Sequence, residues 1–173
     1  MIITVIKMII KKIVVGYLKE NCYILEKNNK VIIIDPGDEF EKIDKEIHGE
    51  VIGVLLTHSH FDHVGALNEV LNKYHVPVNK FNPEPFNFEV IYTPGHSWDS
   101  KTYYFKNEDV MFTGDFIFYH DLGRTDLKSG SQKDMQKSLN KIKKYPLNIK
   151  CYPGHGQETT LQEEINNINY FSA

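Results

Sequence analysis

Arginine is almost missing from this chain of 173 residues: of 20 basic residues, only Arg124 is not lysine. Cysteine is scarce too. Cys22 and Cys151 cannot build a disulfide framework, and no Cys-x-x-Cys pair occurs. A reducing compartment follows, and the expected location is the cytoplasm. No apolar run reaches the roughly 18 residues of a membrane span. Lys7, Lys11 and Lys12 interrupt the apolar stretch from Met1 to Val15, which reads as a strand, with Met8 as an alternative start. Basic blocks are absent and the net charge is −3, so neither nucleic acid nor a membrane surface is an expected partner. Linkers, low-complexity segments and repeats are lacking as well. Hydrophobic residues at 41% and charged residues at 25% fit one soluble globular domain spanning 1–173.

The pattern that is present alternates strands with helices. Ile9–Val15, Asn21–Glu26 and Lys30–Asp35 are β-branched and aromatic runs, with Asn28-Asn29 a turn between the last two. Phe40, Ile43 and Ile47 predict a helix over Glu39–His48, and Val51–Leu56 a strand covered on both faces. A helix follows from about Val64 to Tyr74. Val76–Val78 and Phe86–Tyr92 read as strands, and Thr102–Lys106 and Asp109–Phe112 as a hairpin. Gly114–Leu127 carries few regular signals and reads as a loop. Ser131–Lys144 is helical, Asn148–Tyr152 extended, and Thr160 with Glu163 forms a capping box that opens a last helix to Tyr170. Two blocks of strands with helices outside predict an α+β arrangement of two central sheets, with a doubly wound α/β sheet as the alternative.

Chemistry concentrates in histidine. Five of the eight histidines lie in three short loops that each follow a strand. The central one is His58-x-His60-x-Asp62-His63, a combination expected by chance in about one in a thousand chains of this composition. Imidazole and carboxylate suit Zn, Fe, Ni or Mn. Four such ligands within six loop residues cannot all face one cation without strain, but they can serve two. His96 in Thr-Pro-Gly-His-Ser, Asp115 after Thr113-Gly114 and His155 in Pro-Gly-His-Gly supply the remaining ligand types. Two cations about 3.5–4 Å apart, bridged by a carboxylate, would consume all seven and leave room for a water.

These motifs resemble the metallo-β-lactamase-fold hydrolases, and among them the small relatives of glyoxalase II. The resemblance also rests on Asn21-Cys22-Tyr23-Ile24-Leu25, Asp35-Pro36-Gly37 and Gly123-Arg124-Thr125-Asp126-Leu127, and runs from about Lys11 to Phe171. It implies an αβ/βα sandwich with metals at one edge of the sheets. It implies His58, His60 and His96 on one metal, Asp62, His63 and His155 on the other, and Asp115 bridging, with zinc the first candidate and iron or manganese the next. The activity implied is thioester hydrolysis by a hydroxide bridging the metals, on a substrate such as a hydroxyacylglutathione, with Asp62 orienting the water. Asp35 is a candidate acceptor for a ligand imidazole.

Three residues are candidates for substrate contact. Arg124 offers a bidentate fork for an anion, with an ion pair to Asp121 or Asp126 as the structural alternative. His120 lies between Asp115 and Arg124, and Trp98 beside His96; exposure and simple packing are their alternatives. His48 and His75 read as solvated helix-end residues, and the cysteines as buried small hydrophobes. The chain ends one helix after His155, so the helical domain that supplies glutathione contacts in full-length glyoxalase II is not expected here. Only 32 residues separate His63 from His96, which leaves either a more open pocket or a second subunit that completes it. Competing functions on the same fold are a mononuclear-iron persulfide dioxygenase, an esterase, lactonase or β-lactamase, and a metal-binding module without catalysis.

Overall fold

The computed structural model describes residues 7–173. The expected strand character of residues 1–6, and the choice between Met1 and Met8, lie outside the described residues. The chain divides into two compact units. The first comprises residues 7–56 and 61–87, the second residues 57–60 and 88–173.

The first unit is built on a four-stranded mixed sheet. β1 (Ile9–Val15), β2 (Glu20–Lys27) and β3 (Lys30–Ile34) form antiparallel hairpins, and α1 (Phe40–Asp44) leads to β4 (Glu50–Leu55), which runs parallel to β3. Asn28 and Asn29 take φ of 52° and 60° between Lys27 and its partner Lys30. Such a two-residue turn favours asparagine, which tolerates the left-handed region. α1 is shorter than the expected Glu39–His48, because after Asp44 the backbone bonds tighten to three-residue spacing: Glu46 N–H donates to Ile43 and Ile47 N–H to Asp44. α2 (Phe61–Val64) and α3 (Leu67–Tyr74) follow. Leu67, Val70, Leu71 and Tyr74 pack with Ile24, Ile33 and Val54, as their helical spacing requires. The expected strand Val76–Val78 reduces to one bridge between Val78 and Val54; Pro77 has no N–H to extend a ladder.

The second unit holds β5 (Glu89–Tyr92), β6 (Lys101–Phe105), β7 (Val110–Gly114), the short hairpin β8 (Ile117–Phe118) and β9 (Asp121–Leu122), α4 (Gln132–Ile142), β10 (Lys150–Pro153), β11 (Thr159–Thr160) and α5 (Leu161–Phe171). Its five-stranded sheet has the order β11-β10-β7-β6-β5, with β7 and β10 parallel. Met135, Leu139 and Ile142 of α4 bury against Ile91, Met111, Cys151 and Ile168. Ser131 caps α4 by accepting from Asp134 N–H, and Thr160 caps α5 by accepting from Glu163 N–H. The expected loop 114–127 contains the β8–β9 hairpin, anchored by the buried Phe116 and Ile117. Strands of two residues are too short to leave a period in sequence. Two sheets with their own helices give the expected α+β class. Among the described residues, no helix is long and apolar enough to cross a membrane.

Candidate metal centre

In the second unit, His58 and His60 come from the segment Thr57–His60, and His96 from the loop after β5. His58 Nε2 lies 3.1 Å from His60 Nδ1, and His96 Nε2 lies 2.9 Å from the same atom. The three rings stand nearly perpendicular to one another, with interplanar angles of 76°, 79° and 82°. Such convergence is what a shared cation needs: three nitrogens at about 2.0–2.1 Å from zinc in a tetrahedron would lie ~3.3 Å apart.

The far sides of the rings decide which nitrogens carry protons. His96 Nδ1 sits 2.9 Å from the Arg124 carbonyl, which can only accept. Nδ1 therefore bears the N–H, and Nε2 of the neutral ring presents a lone pair. His58 Nδ1 bonds to Thr57 Oγ1 at 3.0 Å. This chemistry of the donors fits a divalent cation, and His58, His60 and His96 form a group able to hold a metal ion.

Asp115, just past β7, extends the cluster. Its Oδ2 lies 3.4 Å from His96 Nε2 and 3.7 Å from His155 Nε2. The turn that places it is tight. A Cβ on Gly123 would stand 1.7 Å from the Asp115 carbonyl oxygen, so only glycine lets the backbone after β9 approach this closely.

In the first unit, Asp62 and His63 lie on α2. His63 is fully buried; its Nδ1 is 2.9 Å from Asp35 Oδ2 and 3.7 Å from Glu20 Oε1, and its Nε2 is 3.9 Å from Asp62 Oδ2. A carboxylate on Nδ1 holds the proton there and turns Nε2 toward a ligand role, the part foreseen for Asp35. The Asp35-Pro36-Gly37 turn backs α2 directly. A Cβ on Gly37 would meet the Asp62 carbonyl at 1.9 Å, and Ala66 N–H donates to the Pro36 carbonyl. A groove of about 260 Å³ opens beside Asp62, lined by Val15, Tyr17, Leu18 and Phe61. Tyr17 and Phe61 are 96% and 75% exposed.

The remaining candidates lie at the surface of the second unit. The Arg124 guanidinium is 63% exposed and bonds both Asp126 oxygens, at 2.7 and 2.8 Å, which is the structural alternative foreseen for it. That pair pulls the Asp126 carboxyl down to about 2. Arg124 also borders a groove of about 390 Å³ with Leu122, Met135 and Phe171. Trp98 is 76% exposed on a turn held by Ser97, Asp99 and Ser100. The His120 ring is largely exposed, lies 3.9 Å from the Tyr119 ring, and has its Nδ1 3.7 Å from Glu164 Oε1. His48 and His75 are exposed, as expected. Both cysteines are buried and their thiols pushed up, Cys22 by burial and then by Glu20 and Asp35, Cys151 to about 12 by burial and then by Glu164.

Sequence reading did not single out Glu20, Thr57 or Glu164. For Glu20 the only local signal is its place just before the run Cys22–Leu25, and its burial is visible only in the structure. Nothing in sequence marks the Arg124 carbonyl.

The profile of the Metallo-beta-lactamase superfamily matches residues 15–84 and 79–155. "Probable metallo-hydrolase YqgX" of Bacillus subtilis is 32% identical, with 94% of this chain and 98% of that protein covered. "Hydroxyacylglutathione hydrolase GloC" of Haemophilus influenzae is 30% identical, with 90% and 94% covered. The crystal structure of the BLEG-1 B3 metallo-beta-lactamase superposes with a TM-score of 0.89 at 28% identity, covering 95% of this chain and all of that one. The chain belongs to the metallo-β-lactamase superfamily, is related to its glyoxalase-II-like proteins, and is a metal-dependent hydrolase.

Proposed function

We propose that the protein hydrolyses a thioester, such as a hydroxyacylglutathione, at a centre for two divalent cations, zinc first among them. His58, His60 and His96 would hold one cation and Asp62, His63 and His155 the other, with Asp115 as the carboxylate they would share. When bound, the pair supplies a nucleophilic hydroxide near neutral pH and polarises the carbonyl oxygen. The observation that carries this reading is the position of Asp115: one carboxylate oxygen lies within 3.4 Å of His96 Nε2 and 3.7 Å of His155 Nε2.

The chain's own groups then have distinct tasks. Asp62 orients the attacking water. Asp35 and the Arg124 carbonyl keep His63 and His96 in the tautomer that offers Nε2. As water oxygen bonds to the acyl carbon, the carbon–sulfur bond breaks and the thiolate leaves, to be protonated by solvent. No cysteine acts as nucleophile, since both thiols are buried and held protonated. Arg124, His120 and Trp98 are the proposed contacts for the thiol carrier. An anionic carrier would compete with Asp126 for the guanidinium.

The test is hydrolysis of lactoylglutathione by zinc-loaded protein, beside a thioester that lacks the glutathione part. Turnover of either supports the reading, and a rate favouring the first adds recognition of glutathione. Failure with both, together with oxygen uptake on a glutathione persulfide or opening of a lactone or β-lactam, overturns it.

A further inference from the structure

Glu164 is a buried charged group that the proposed chemistry does not use. It lies in the first turn of α5 at 0% exposure. Its Oε1 accepts from Thr159 Oγ1 at 2.6 Å and from the His120 backbone N–H at 3.0 Å; its Oε2 accepts from Asn167 Nδ2 at 3.2 Å. A carboxylate so far from water is retained where directional donors meet it. Two of these donors, Thr159 and His120, belong to the chain segments that follow two proposed ligands, and the third, Asn167, lies on α5 itself.

Thr159 comes four residues after His155. His120 comes five residues after Asp115, at the turn of the β8–β9 hairpin, with φ of 56°. The same hairpin carries Phe118, whose ring lies 6.3 Å from the His155 imidazole, inclined at 60°. Past the hairpin comes Arg124, whose carbonyl orients His96. The Thr160 cap, reinforced by the Glu163 side chain, fixes the start of α5 and gives Glu164 a rigid base.

We propose that Glu164 is a positioning residue that holds Asp115 and His155 in mutual register by tying the segment after each to the first turn of α5. It touches neither substrate nor metal. The inference rests on the reading of Asp115 and His155 as ligands. A hydrophobic side chain of equal size would fill the space but could not hold the His120 amide and the Thr159 hydroxyl together.

The experiment compares wild type, Glu164→Leu, Glu164→Gln and Leu139→Ala. The last removes buried core from the same unit and controls for stability alone. Stepwise zinc affinities are read by chelator competition, the ligand field by cobalt(II) absorption, and the His120 amide by hydrogen exchange in metal-free protein. Glu164→Leu is expected to weaken the metal step that draws on both Asp115 and His155 by about 10–100-fold, the scale of losing support behind a ligand, and the step that draws on Asp115 without His155 by clearly less. It should also alter the cobalt spectrum and expose the His120 amide. Glu164→Gln, which keeps an acceptor, should recover most of both. Leu139→Ala should lower the melting temperature and move neither readout.

Equal weakening of both steps by Glu164→Leu and Leu139→Ala, or unchanged His120 protection in Glu164→Leu, overturns the inference. Should Glu164→Leu fail to fold, Thr159→Val removes one donor and should give the same pattern at smaller size; no split between the steps then overturns it. A wild type that takes up one metal only defeats the two-metal reading instead. The exchange comparison, made without metal, then decides whether Glu164 fixes the hairpin.

Discussion

The imidazole of His96 donates from Nδ1 to the backbone carbonyl of Arg124 at 2.9 Å, while the guanidinium of the same arginine grips Asp126. One residue thus makes two separable contacts, the main chain with His96 and the side chain with Asp126 at the surface. Arg124→Lys should leave metal content unchanged. It should raise KM for an anionic thioester about tenfold, the scale of one charge-assisted hydrogen bond near 1.5 kcal/mol, with little change in kcat. Steady-state kinetics on matched anionic and neutral substrates checks this; equal losses on both would assign the side chain to structure. Asp126 is held at about 2, so its pairing is complete above its ordinary range and fades only as pH falls from about 4 toward 2. A KM that varies between pH 5 and 9 must have another source.

His58→Ala should remove most metal from the first position. Turnover should drop by at least about 10²-fold, the scale of losing one group that stabilises an oxyanion. Elemental analysis and initial rates decide, and unchanged stoichiometry would end the assignment.

Asp35→Ala should lower affinity for a metal on His63 by about 10–100-fold, because the imidazole loses the acceptor that fixes its Nδ1 proton. Chelator titration measures it. Asp35→Asn, which keeps an oxygen toward Nδ1, should fall between wild type and alanine.

Both thiols should resist alkylation. Raised thiol pKa values keep the thiolate scarce at pH 8, and burial blocks access. Iodoacetamide labelling followed by mass spectrometry should show modification only once denaturant unfolds the protein. Rapid labelling of Cys151 in native protein would contradict its burial.

The apolar groove beside Asp62 should read the acyl group. Phe61→Ala should raise KM about tenfold for a thioester with a bulky apolar acyl chain, roughly 1.4 kcal/mol and less than full burial of a phenylalanine contributes. An acetyl thioester of the same thiol should show little change. A shift of equal size on both would place Phe61 outside acyl recognition.

What could be foreseen followed the range of the signals. α4 and α5 end within two residues of expectation because apolar spacing and the Ser131 and Thr160 caps are local. The convergence of His58, His60 and His96 could be foreseen because histidine is uncommon and these three stand in short segments that follow strands. Supporting contacts were not, because they depend on tertiary approach. The carbonyl of Arg124 has no identity in sequence, and nothing in sequence sets the buried Glu164 apart from its neighbour Glu163. α1 came out short for the same reason: ten residues with three apolar positions cannot outweigh the tighter turn that Ile47 needs to reach the core.

Residues 57–60 belong to the second unit although the chain on either side of them belongs to the first. During synthesis this imposes a sequence of events. A nascent chain that has emerged as far as Asn87 carries every segment of the first unit, yet His58 and His60 still lack His96, and Asp115 and His155 follow much later. The imidazole trio cannot assemble until translation passes His96. The group of His58, His60 and His96 is therefore completed only after more than half of the chain has been made.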